Sequence, residues 1–513
     1  MPRLFENIDK FKKKTALIGL NSEKVTYGQI LNINKKINYK IFSRSIILMI
    51  GTNTIDSVIG YISFIKNNHI VILLDNNFSK IYIKNIIKKY NPNYIYALKN
   101  FFKNNKKGNN IKRVSVKKNN EIVFSISFQK KCIGNIKFKK INFKRSCCYF
   151  NLVFNDKKWQ YSDFHSEIIQ TACNQIFNKH EISKVFVDVK NKDKKNLNHY
   201  FKNGFIIKKK INSENYIMSR DYFLNKIVLG TAQLNSNYGL TNKKGGISIK
   251  DFKEIKKLSL KKGVVTVETA QAYKGSEKIM GDIDFSKFNI ISKIETINNK
   301  KIASLKDFIN RSVKNSLTKL NLKKIYAFLF HNSDDLFSKN GKRIFKNLYE
   351  LKKKGKIANI GVAVYNVHEL KILAKHFDFD IVTIPFNILD KRFEKSNIVK
   401  KLKKKNVKFY ARSIFLQGLL LMKVKNLPNF FRKWKKIFKK LENFSTKNKF
   451  SKLELCLNHA LNSKIIDKVI IGVDNLSHFN QVTNLCKKND KIFLPSFGKV
   501  DYRLINPQKW KIR

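Results

Sequence analysis

The sequence predicts an α/β protein whose largest part is a (β/α)8 barrel over residues 225–505. Short apolar segments recur along this part, and each is followed by a Lys-, Leu- and Ile-rich segment that is long enough for a helix. Eight such repeats in about 280 residues are typical of this barrel. The predicted strands are 226–230, 264–267, 289–293, 325–330, 357–361, 381–384, 407–411 and 468–471.

Ionisable side chains follow three consecutive predicted strands. Glu268 and Tyr273 come after the second strand, Lys293 ends the third, and His331 follows the fourth. Enzymes with this barrel carry their catalytic groups at the carboxyl ends of the strands. Since Glu, Tyr, Lys and His are residue types that transfer protons, the pattern predicts a proton-transfer site at that end.

The order of these four residues resembles the tetrad of the aldo/keto reductases, which is Asp, Tyr, Lys and His. Four further segments are similar to motifs of the same family, in the same order along the chain. They are 230–239 (GTAQLNSNYG), 355–363 (GKIANIGVA), 385–390 (PFNILD) and 411–420 (ARSIFLQGLL). The resemblance covers the whole predicted barrel and implies an oxidoreductase.

The resemblance implies that a carbonyl is reduced with NADPH or NADH. In that case Tyr273 is the acid, Lys293 lowers the pKa of the Tyr273 phenol, and His331 orients the carbonyl. Glu268 stands where the family has Asp, so the charge is kept. Its additional methylene can move the Lys293 ammonium away from the phenol, and small displacements of this kind slow catalysis.

The resemblance also assigns residues to cofactor binding. In the family, a Ser-Asn pair after strand five and a Gln on strand six hold the nicotinamide amide, whereas Ala363, Val364 and Thr383 stand there here. Asp474 would repel the 2′-phosphate of NADPH, which favours NADH. The residues assigned to the cofactor are Gly230, Thr231, Thr383, Arg412, Ser413, Gly472, Asp474 and Asn475.

Residues 111–222 predict a separate α+β domain, in which Gly204 ends a short helix. The segment 189–205 resembles the end of the GNAT-type N-acetyltransferases. That resemblance implies acetyl-CoA as a second ligand, with Tyr200 protonating the leaving thiolate. In those enzymes the backbone of a Gly-rich loop holds the CoA pyrophosphate, but the corresponding residues 157–164 contain no glycine.

Residues 1–100 predict a small N-terminal α/β domain, and the basic, Asn-rich segment 99–110 predicts a linker after it. The segments 25–30 and 73–76 resemble the N-terminal end of the AMP-dependent acyl-adenylate synthetases. The Ser/Thr/Gly-rich phosphate loop of that family has no counterpart in the sequence. We therefore expect this domain to serve docking or scaffolding.

The chain carries 105 Lys and Arg against 36 Asp and Glu, a formal charge of +69. The cations are spread along all segments, whereas a nucleic-acid site is clustered, so we expect no specific nucleic-acid partner. The six cysteines have neither metal-ligand nor disulfide spacing, which predicts no metal site. With no signal peptide and no apolar run of about 20 residues, the expected location is cytoplasmic.

The sequence as a whole predicts an NAD(P)H-dependent reductase of a small or sugar-like carbonyl substrate. The neighbouring acetyltransferase-like segment suggests amino-sugar or surface-glycan metabolism, by association only. The alternative is a non-catalytic scaffold built from degenerate enzyme segments, which the altered cofactor contacts favour. The sequence does not identify the substrate itself, decide between NADH and NADPH, or give the oligomeric state.

Overall fold

A computed structural model of the chain describes residues 11–12, 14–18, 24–38, 45–51, 55–66, 69–75, 86, 90, 92, 94–96, 122–128, 131–142, 145–156, 163–180, 182–190, 193–236, 238–242, 245–297, 304–486 and 492–510. The predicted linker 99–110 lies outside the described residues. The chain divides into two compact units. One contains Met1–Phe124, Ile136–Cys148 and Ala172–Ile182, and the other contains Ser125–Asn135, Tyr149–Thr171 and Ser183–Arg513.

The N-terminal residues form a strand–helix–strand arrangement where the sequence pattern predicts it. The elements are β1 (Thr15–Ile18), β2 (Lys24–Thr26), α1 (Tyr27–Asn38), β3 (Ile46–Gly51), α2 (Ile55–Lys66), β4 (Ile70–Asp75) and β5 (Tyr94–Tyr96). β1 and β2 pair antiparallel, whereas β3 pairs in parallel with β4 and β5. Ile47, Met49 and Phe64 pack together in the core. The relation of this part to adenylate synthetases stays a prediction.

The middle of the chain contributes a six-stranded sheet and two helices. They are β6 (Ile122–Phe128), β7 (Lys131–Asn142), β8 (Cys147–Phe154), α3 (Asp163–His180), β9 (Lys184–Lys190), α4 (Lys194–Lys202), β10 (Ile206–Lys210) and β11 (Asn215–Asp221). The strand order is β10-β11-β9-β8-β7-β6. Asp193 begins α4 by accepting a hydrogen bond from the Asn196 N–H. Gly204 follows α4 with φ +81°, the left-handed conformation predicted for it. The acetyltransferase assignment stays a prediction.

The C-terminal part is a closed barrel of eight parallel strands, which confirms the predicted fold. Helix α5 (Tyr222–Lys226) leads into the first strand. The strands are β12 (Ile227–Gly230), β13 (Thr266–Glu268), β14 (Asn289–Ile294), β15 (Ile325–Phe330), β16 (Ile357–Ala363), β17 (Ile381–Pro385), β18 (Lys408–Arg412) and β19 (Lys468–Gly472). Inside the barrel, Val228, Ile291, Leu329 and Tyr410 form part of one buried apolar cluster.

Helices cover the outside of the barrel, and the larger apolar core lies between them and the strands. They are α6 (Ile249–Lys262), α7 (Ser276–Asp282), α8 (Leu305–Lys319), α9 (Asp334–Phe337), α10 (Gly341–Lys353), α11 (Val367–His376), α12 (Asn397–Lys404), α13 (Lys435–Lys447), α14 (Lys452–Leu461), α15 (Leu476–Leu485) and α16 (Tyr502–Ile505). Helix α6 begins at Ser248, which accepts from the Asp251 N–H, and ends at left-handed Gly263.

Short 3-10 helices at 419–421, 424–426 and 429–434 follow β18 and precede α13. The sequence pattern does not predict them, because they are too short to show a helical period. Among the described residues, no helix is both long enough and apolar enough to cross a membrane. The same residues hold no group of three His, Cys, Asp or Glu side chains that could ligate a metal ion.

Candidate active site

A cavity of about 590 Å³ opens at the carboxyl ends of the barrel strands. Glu268, Tyr273, Lys293 and His331 all line it, and Arg412 lines the same cavity. Glu268 is the last residue of β13, and Lys293 lies near the end of the neighbouring strand β14. The barrel therefore brings together the four residues that follow three consecutive strands in the sequence.

The turn that carries Tyr273 is held in place by Gln271. The backbone N–H of Gln271 donates to the Lys293 carbonyl (3.1 Å), and its side-chain amide donates to the Ser312 carbonyl (2.8 Å) and to Ser316 Oγ (2.8 Å). The Tyr273 N–H donates to the Ala270 carbonyl (3.0 Å). These bonds connect the turn both to β14 and to helix α8. The phenol is thereby held on a rigid support.

Lys293 lies between the carboxylate and the phenol. Its side chain is buried, Nζ contacts Glu268 Oε1 as an ion pair, and Nζ donates to Tyr273 Oη at 3.0 Å. The Thr269 carbonyl is a third acceptor at 3.4 Å. The longer Glu268 side chain thus does not move the ammonium away from the phenol, because Lys293 has enough length to reach both groups.

The pKa of the Tyr273 phenol is shifted in the direction opposite to the one expected from the sequence. Burial raises it, nearby Tyr238 raises it further, and the Arg412 charge opposes the rise only in part. Burial and, second, the Arg412 charge lower the pKa of Lys293, whereas the contacting Glu268 carboxylate favours its charged form.

His331 faces the Tyr273 ring edge to face, with 6.1 Å between the ring centroids and an interplanar angle of 87°. Burial, followed by the charges of Lys293 and Arg412, lowers the pKa of His331 to about 4. The imidazole is therefore neutral near pH 7 and retains one N–H donor and one acceptor nitrogen. A neutral N–H can hydrogen-bond to a carbonyl oxygen without adding charge to the cavity.

Arg412 and Ser413 begin a turn with unusual backbone conformations. Ser413, Leu416 and Gln417 have φ values of 60°, 46° and 54°, a left-handed region that side chains disfavour. Gly418 follows with φ 90°. Such strained residues cluster at ligand sites. In this chain the turn forms one wall of the cavity, which Ser413, Gln417 and Gly418 all line.

The residues assigned to the cofactor are only partly brought together. Gly230 and Gly472 lie side by side at the ends of β12 and β19, and both line the cavity, as do Arg412, Ser413 and Asp474. Asp474 Oδ2 lies 3.5 Å from His478 Nδ1. Asn475 instead caps α15 by accepting from the His478 N–H (2.9 Å).

Two predicted cofactor residues, Thr231 and Thr383, do not line the cavity in this structure. They are 1% and 0% exposed, and each hydroxyl lacks a hydrogen-bond partner among the described residues. The backbone of Thr231 joins the end of β12 to β13, because its N–H donates to the Glu268 carbonyl. Their contact with a cofactor stays a prediction.

Gln233, Tyr238 and Tyr365 are among the polar residues of the cavity that the sequence analysis missed. A side chain at Gly472 would overlap the Gln233 amide, so the glycine leaves room for it. Oε1 of Gln233 is buried without a partner in the described part of the chain. The only sequence signal for Gln233 was its position in the segment after the first strand.

Tyr200 is on α4, outside the barrel cavity. It is 4% exposed, and its ring packs against Phe150, His165 and Phe205. A hydrogen bond of 2.8 Å joins Ser166 Oγ and His199 Nδ1 beside it. Residues 157–162, where a CoA-binding loop is expected, lie outside the described residues.

Residues 226–492, slightly more than half of the 513 residues, match the model of the Aldo/keto reductase family. The chain belongs to the aldo/keto reductase family. Membership of this family indicates an oxidoreductase, and aldo/keto reductases generally use NAD(P)H. No functionally curated protein matches the chain.

Solved structures of aldo/keto reductases are similar to about half of the chain. The holo form of AKR11C1 from Bacillus halodurans is 18% identical, with a TM-score of 0.42, over 52% of this chain and 87% of that one. An aldo-keto reductase from Pseudomonas aeruginosa is 16% identical, with a TM-score of 0.38, over 51% and 89%. The thermostable Tm1743, in complex with epalrestat, is 19% identical, with a TM-score of 0.40, over 52% and 90%.

Proposed function

We propose that the barrel reduces a carbonyl group of a small or sugar-like substrate with NAD(P)H. The observation that carries the proposal is the arrangement around Lys293, whose Nζ contacts the Glu268 carboxylate and donates to Tyr273 Oη at 3.0 Å. A non-catalytic scaffold has no need for a buried ammonium between a carboxylate and a phenol. The cavity beside these residues is large enough for a small organic molecule.

Tyr273 supplies the proton in this proposal. Its raised pKa keeps the phenol protonated at neutral pH, so a proton is available for the substrate oxygen. As that oxygen gains negative charge, Oη–H donates to it and the phenol becomes a phenolate. The Lys293 N–H, already directed at Oη, then stabilises the developing negative charge. Glu268 holds Lys293 in the position that this requires.

His331 serves as the second donor to the substrate oxygen. Since its pKa is lowered to about 4, it acts as a neutral imidazole, which orients the carbonyl without giving up its own proton. Its edge-to-face packing on Tyr273 keeps the two donors on the same side of the cavity.

The residues present fit a nicotinamide cofactor. The adjacent Gly230 and Gly472 allow a close approach to the backbone, and the unpartnered Gln233 Oε1 can accept a hydrogen bond from a carboxamide. Asp474, on the loop after β19, can accept from a ribose hydroxyl and favours NADH over NADPH. When bound, the cofactor supplies the hydride for the carbonyl carbon.

The test combines cofactor binding with a matched pair of variants. NADH and NADPH are titrated by fluorescence, and reduction of a reactive aldehyde is followed for the wild type, Tyr273→Phe and Tyr349→Phe. Tyr349 is an exposed residue on α10 and serves as the control. We expect Tyr273→Phe to lower kcat/KM by about 10²–10⁴-fold with unchanged cofactor affinity. Failure to bind either coenzyme would favour the scaffold.

A second activity in residues 111–222 has less support. The Tyr200 side chain is packed among aromatic rings, which is the environment of a core residue. Binding of acetyl-CoA by this segment therefore stays a prediction from the sequence. Titration of the full chain with acetyl-CoA, followed by calorimetry, tests it directly. The link to amino-sugar metabolism depends on the same result.

A further inference from the structure

The guanidinium of Arg412 lies in the wall of the candidate active site. Arg412 is the last residue of β18, at the same end of the barrel as Glu268 and Lys293. It lines the cavity together with Tyr273 and His331. Its charge also lowers the pKa of Tyr273, of Lys293 and of His331, so it lies within electrostatic range of all three. A ligand that reaches the phenol is therefore within reach of this cation.

The charge of Arg412 is only weakly compensated by the protein. One Nη2–H donates to the Val364 carbonyl at 3.1 Å, and the guanidinium lies 4.1 Å from the centroid of the Tyr365 ring. Nε is buried and has no acceptor among the described residues. In the same part of the chain, no carboxylate is within ion-pair distance of Arg412. A half-buried cation without a counter-ion favours an anion in the cavity.

Arg392 is an arginine of the same chain whose charge is compensated by a carboxylate. Arg392 also lies over a tyrosine ring, that of Tyr502, at 4.9 Å. Unlike Arg412, it donates from Nε (2.8 Å) and Nη2 (2.6 Å) to the buried Asp390 carboxylate. Within the described part of the chain, Arg392 is paired with a carboxylate and Arg412 is not.

The acidic residues of the cavity are engaged elsewhere. Glu268 is in contact with Lys293, and Asp474 lies 3.5 Å from His478. The Glu268–Lys293 pair contributes no net charge. His331 is neutral near pH 7, because its pKa is lowered to about 4. Arg412 is thus a positive charge beside the proton donor that no protein carboxylate offsets within the described residues.

We propose that Arg412 binds an anionic group of the substrate, so that the substrate is an aldehyde or ketone that carries a carboxylate or a phosphate. The planar guanidinium suits both groups, since its N–H donors match two oxygens at once. The proposal rests on the reductase function proposed above. A phosphate of the cofactor is the other possible source of the anion, and the experiment has to separate the two.

The experiment compares pairs of aldehydes in which one member carries an anionic group and the other does not. Values of kcat/KM are measured for 4-oxobutanoate against butanal, and for glyceraldehyde 3-phosphate against glyceraldehyde. We expect the wild type to prefer one of the anionic aldehydes by about 10²-fold, the upper end of the scale for a hydrogen-bonded charged group. Arg412→Gln should lose that preference. Arg412→Lys, which keeps the charge but lacks the planar donors, should retain part of it.

The control variant is Arg432→Gln, because Arg432 is exposed and the change in charge is the same. It should keep the preference of the wild type. Affinity for NADH is measured for every variant by fluorescence. If Arg412→Gln weakens NADH binding while the preference for anionic aldehydes remains, the anion belongs to the cofactor and the assignment to the substrate is overturned.

A binding measurement separates this proposal from the reductase function. Thermal unfolding of the wild type and of Arg412→Gln is followed with succinate and with the neutral succinamide as probes, and again with inorganic phosphate. Stabilisation by succinate or phosphate that Arg412→Gln abolishes supports the anion site even if no aldehyde is reduced. If butanal is reduced but the wild type shows neither preference nor stabilisation by an anion, the reductase stands and this proposal fails. The wild-type result decides the matter even if Arg412→Gln does not fold.

Discussion

Both ends of the barrel hold buried lysines, but their partners differ. At the carboxyl ends of the strands, Lys293 is in contact with Glu268 and bonds to Tyr273, two titratable side chains. At the opposite end, Lys226 donates to the Leu461 carbonyl (2.7 Å) and Lys468 to the Asn225 carbonyl (2.6 Å). The three side chains are similarly buried: Lys293, Lys226 and Lys468 are 3%, 5% and 7% exposed. Lys226 also donates to Tyr222 Oη at 3.4 Å, so the difference is the carboxylate. Among the described residues, neither Lys226 nor Lys468 forms an ion pair, whereas Glu268 pairs with Lys293.

The largest expected effect is a loss of activity when the buried lysine at the carboxyl ends of the strands is replaced, but not when one at the opposite end is replaced. Lys293→Met should lower kcat/KM for a test aldehyde by about 10²–10⁴-fold, because the phenolate loses its stabilising N–H. Lys468→Met should leave kcat/KM unchanged, since Lys468 lies at the far end of the barrel. Steady-state kinetics on both variants check this. Equal losses of kcat/KM in the two variants would show that the difference between the two ends of the barrel does not bear on catalysis.

The second effect concerns stability at the cavity. Glu268→Gln leaves the Lys293 ammonium buried without its counter-charge, and we expect a loss of about 3–5 kcal/mol in the free energy of unfolding. Glu254→Gln is the control, since Glu254 pairs with Lys257 on the exposed face of α6 and should contribute less than about 1 kcal/mol. Urea denaturation measures both. A small loss for Glu268→Gln would mean that Lys293 is neutral in the folded protein.

The third prediction is a pH dependence that comes from the other end of the barrel. Burial lowers the pKa of Lys468 to about 7 and that of Lys226 to about 8, from 10.5. Between these values and 10.5 the unfolded chain binds protons that the folded chain does not, so stability should rise with pH across this range. Lys468→Met should reduce the rise. Urea midpoints from pH 7 to 10, wild type against variant, give the difference, and parallel curves would argue against a shifted Lys468.

The smallest expected effect is a loss of stability of the folded protein below pH 6.5. The pKa of His331 falls to about 4 in the folded protein, against 6.5 in a solvated chain. Above pH 6.5 both states are neutral. As the pH falls from 6.5 to 4, only the unfolded chain gains the proton, so stability is lost. His331→Asn should remove part of this loss. Because His459 has the same shift for the same reason, burial, His459→Asn tests whether the effect depends on the cavity.

The barrel could be predicted from the sequence because each strand is a short apolar run with a clear boundary. The observed β15, Ile325–Phe330, coincides with the predicted segment, and the other seven strands overlap theirs. The strand-end residues could be named as candidates for the same reason, since strand order determines which end of the barrel they reach. The family assignment was likewise confirmed, over residues 226–492.

Other features could not be read from the sequence, because they depend on contacts between distant segments. Thr231 and Thr383 have side chains suited to a cofactor, yet they are buried away from the cavity. Asn475 has an amide side chain that is suited to binding a ligand, but in the structure it caps a helix. Gln233 was overlooked, because its place in the cavity depends on Gly472, which follows it by more than two hundred residues.

The sequence by itself determined the eight-stranded barrel, its family and the residue types at the strand ends, because apolar periodicity and local motifs are properties of neighbouring residues. Only the tertiary structure decided the pKa values of the site residues and which charged side chains are paired. The pKa of Tyr273 is raised and not lowered, because burial and the nearby Tyr238 outweigh the opposing charge of Arg412. Among the residues that the structure describes, Arg412 is without a carboxylate for a similar reason: Glu268 and Asp474, the acids of the cavity, lie against other partners. Desolvation and Coulomb interactions depend on three-dimensional distance, which the order of residues does not contain.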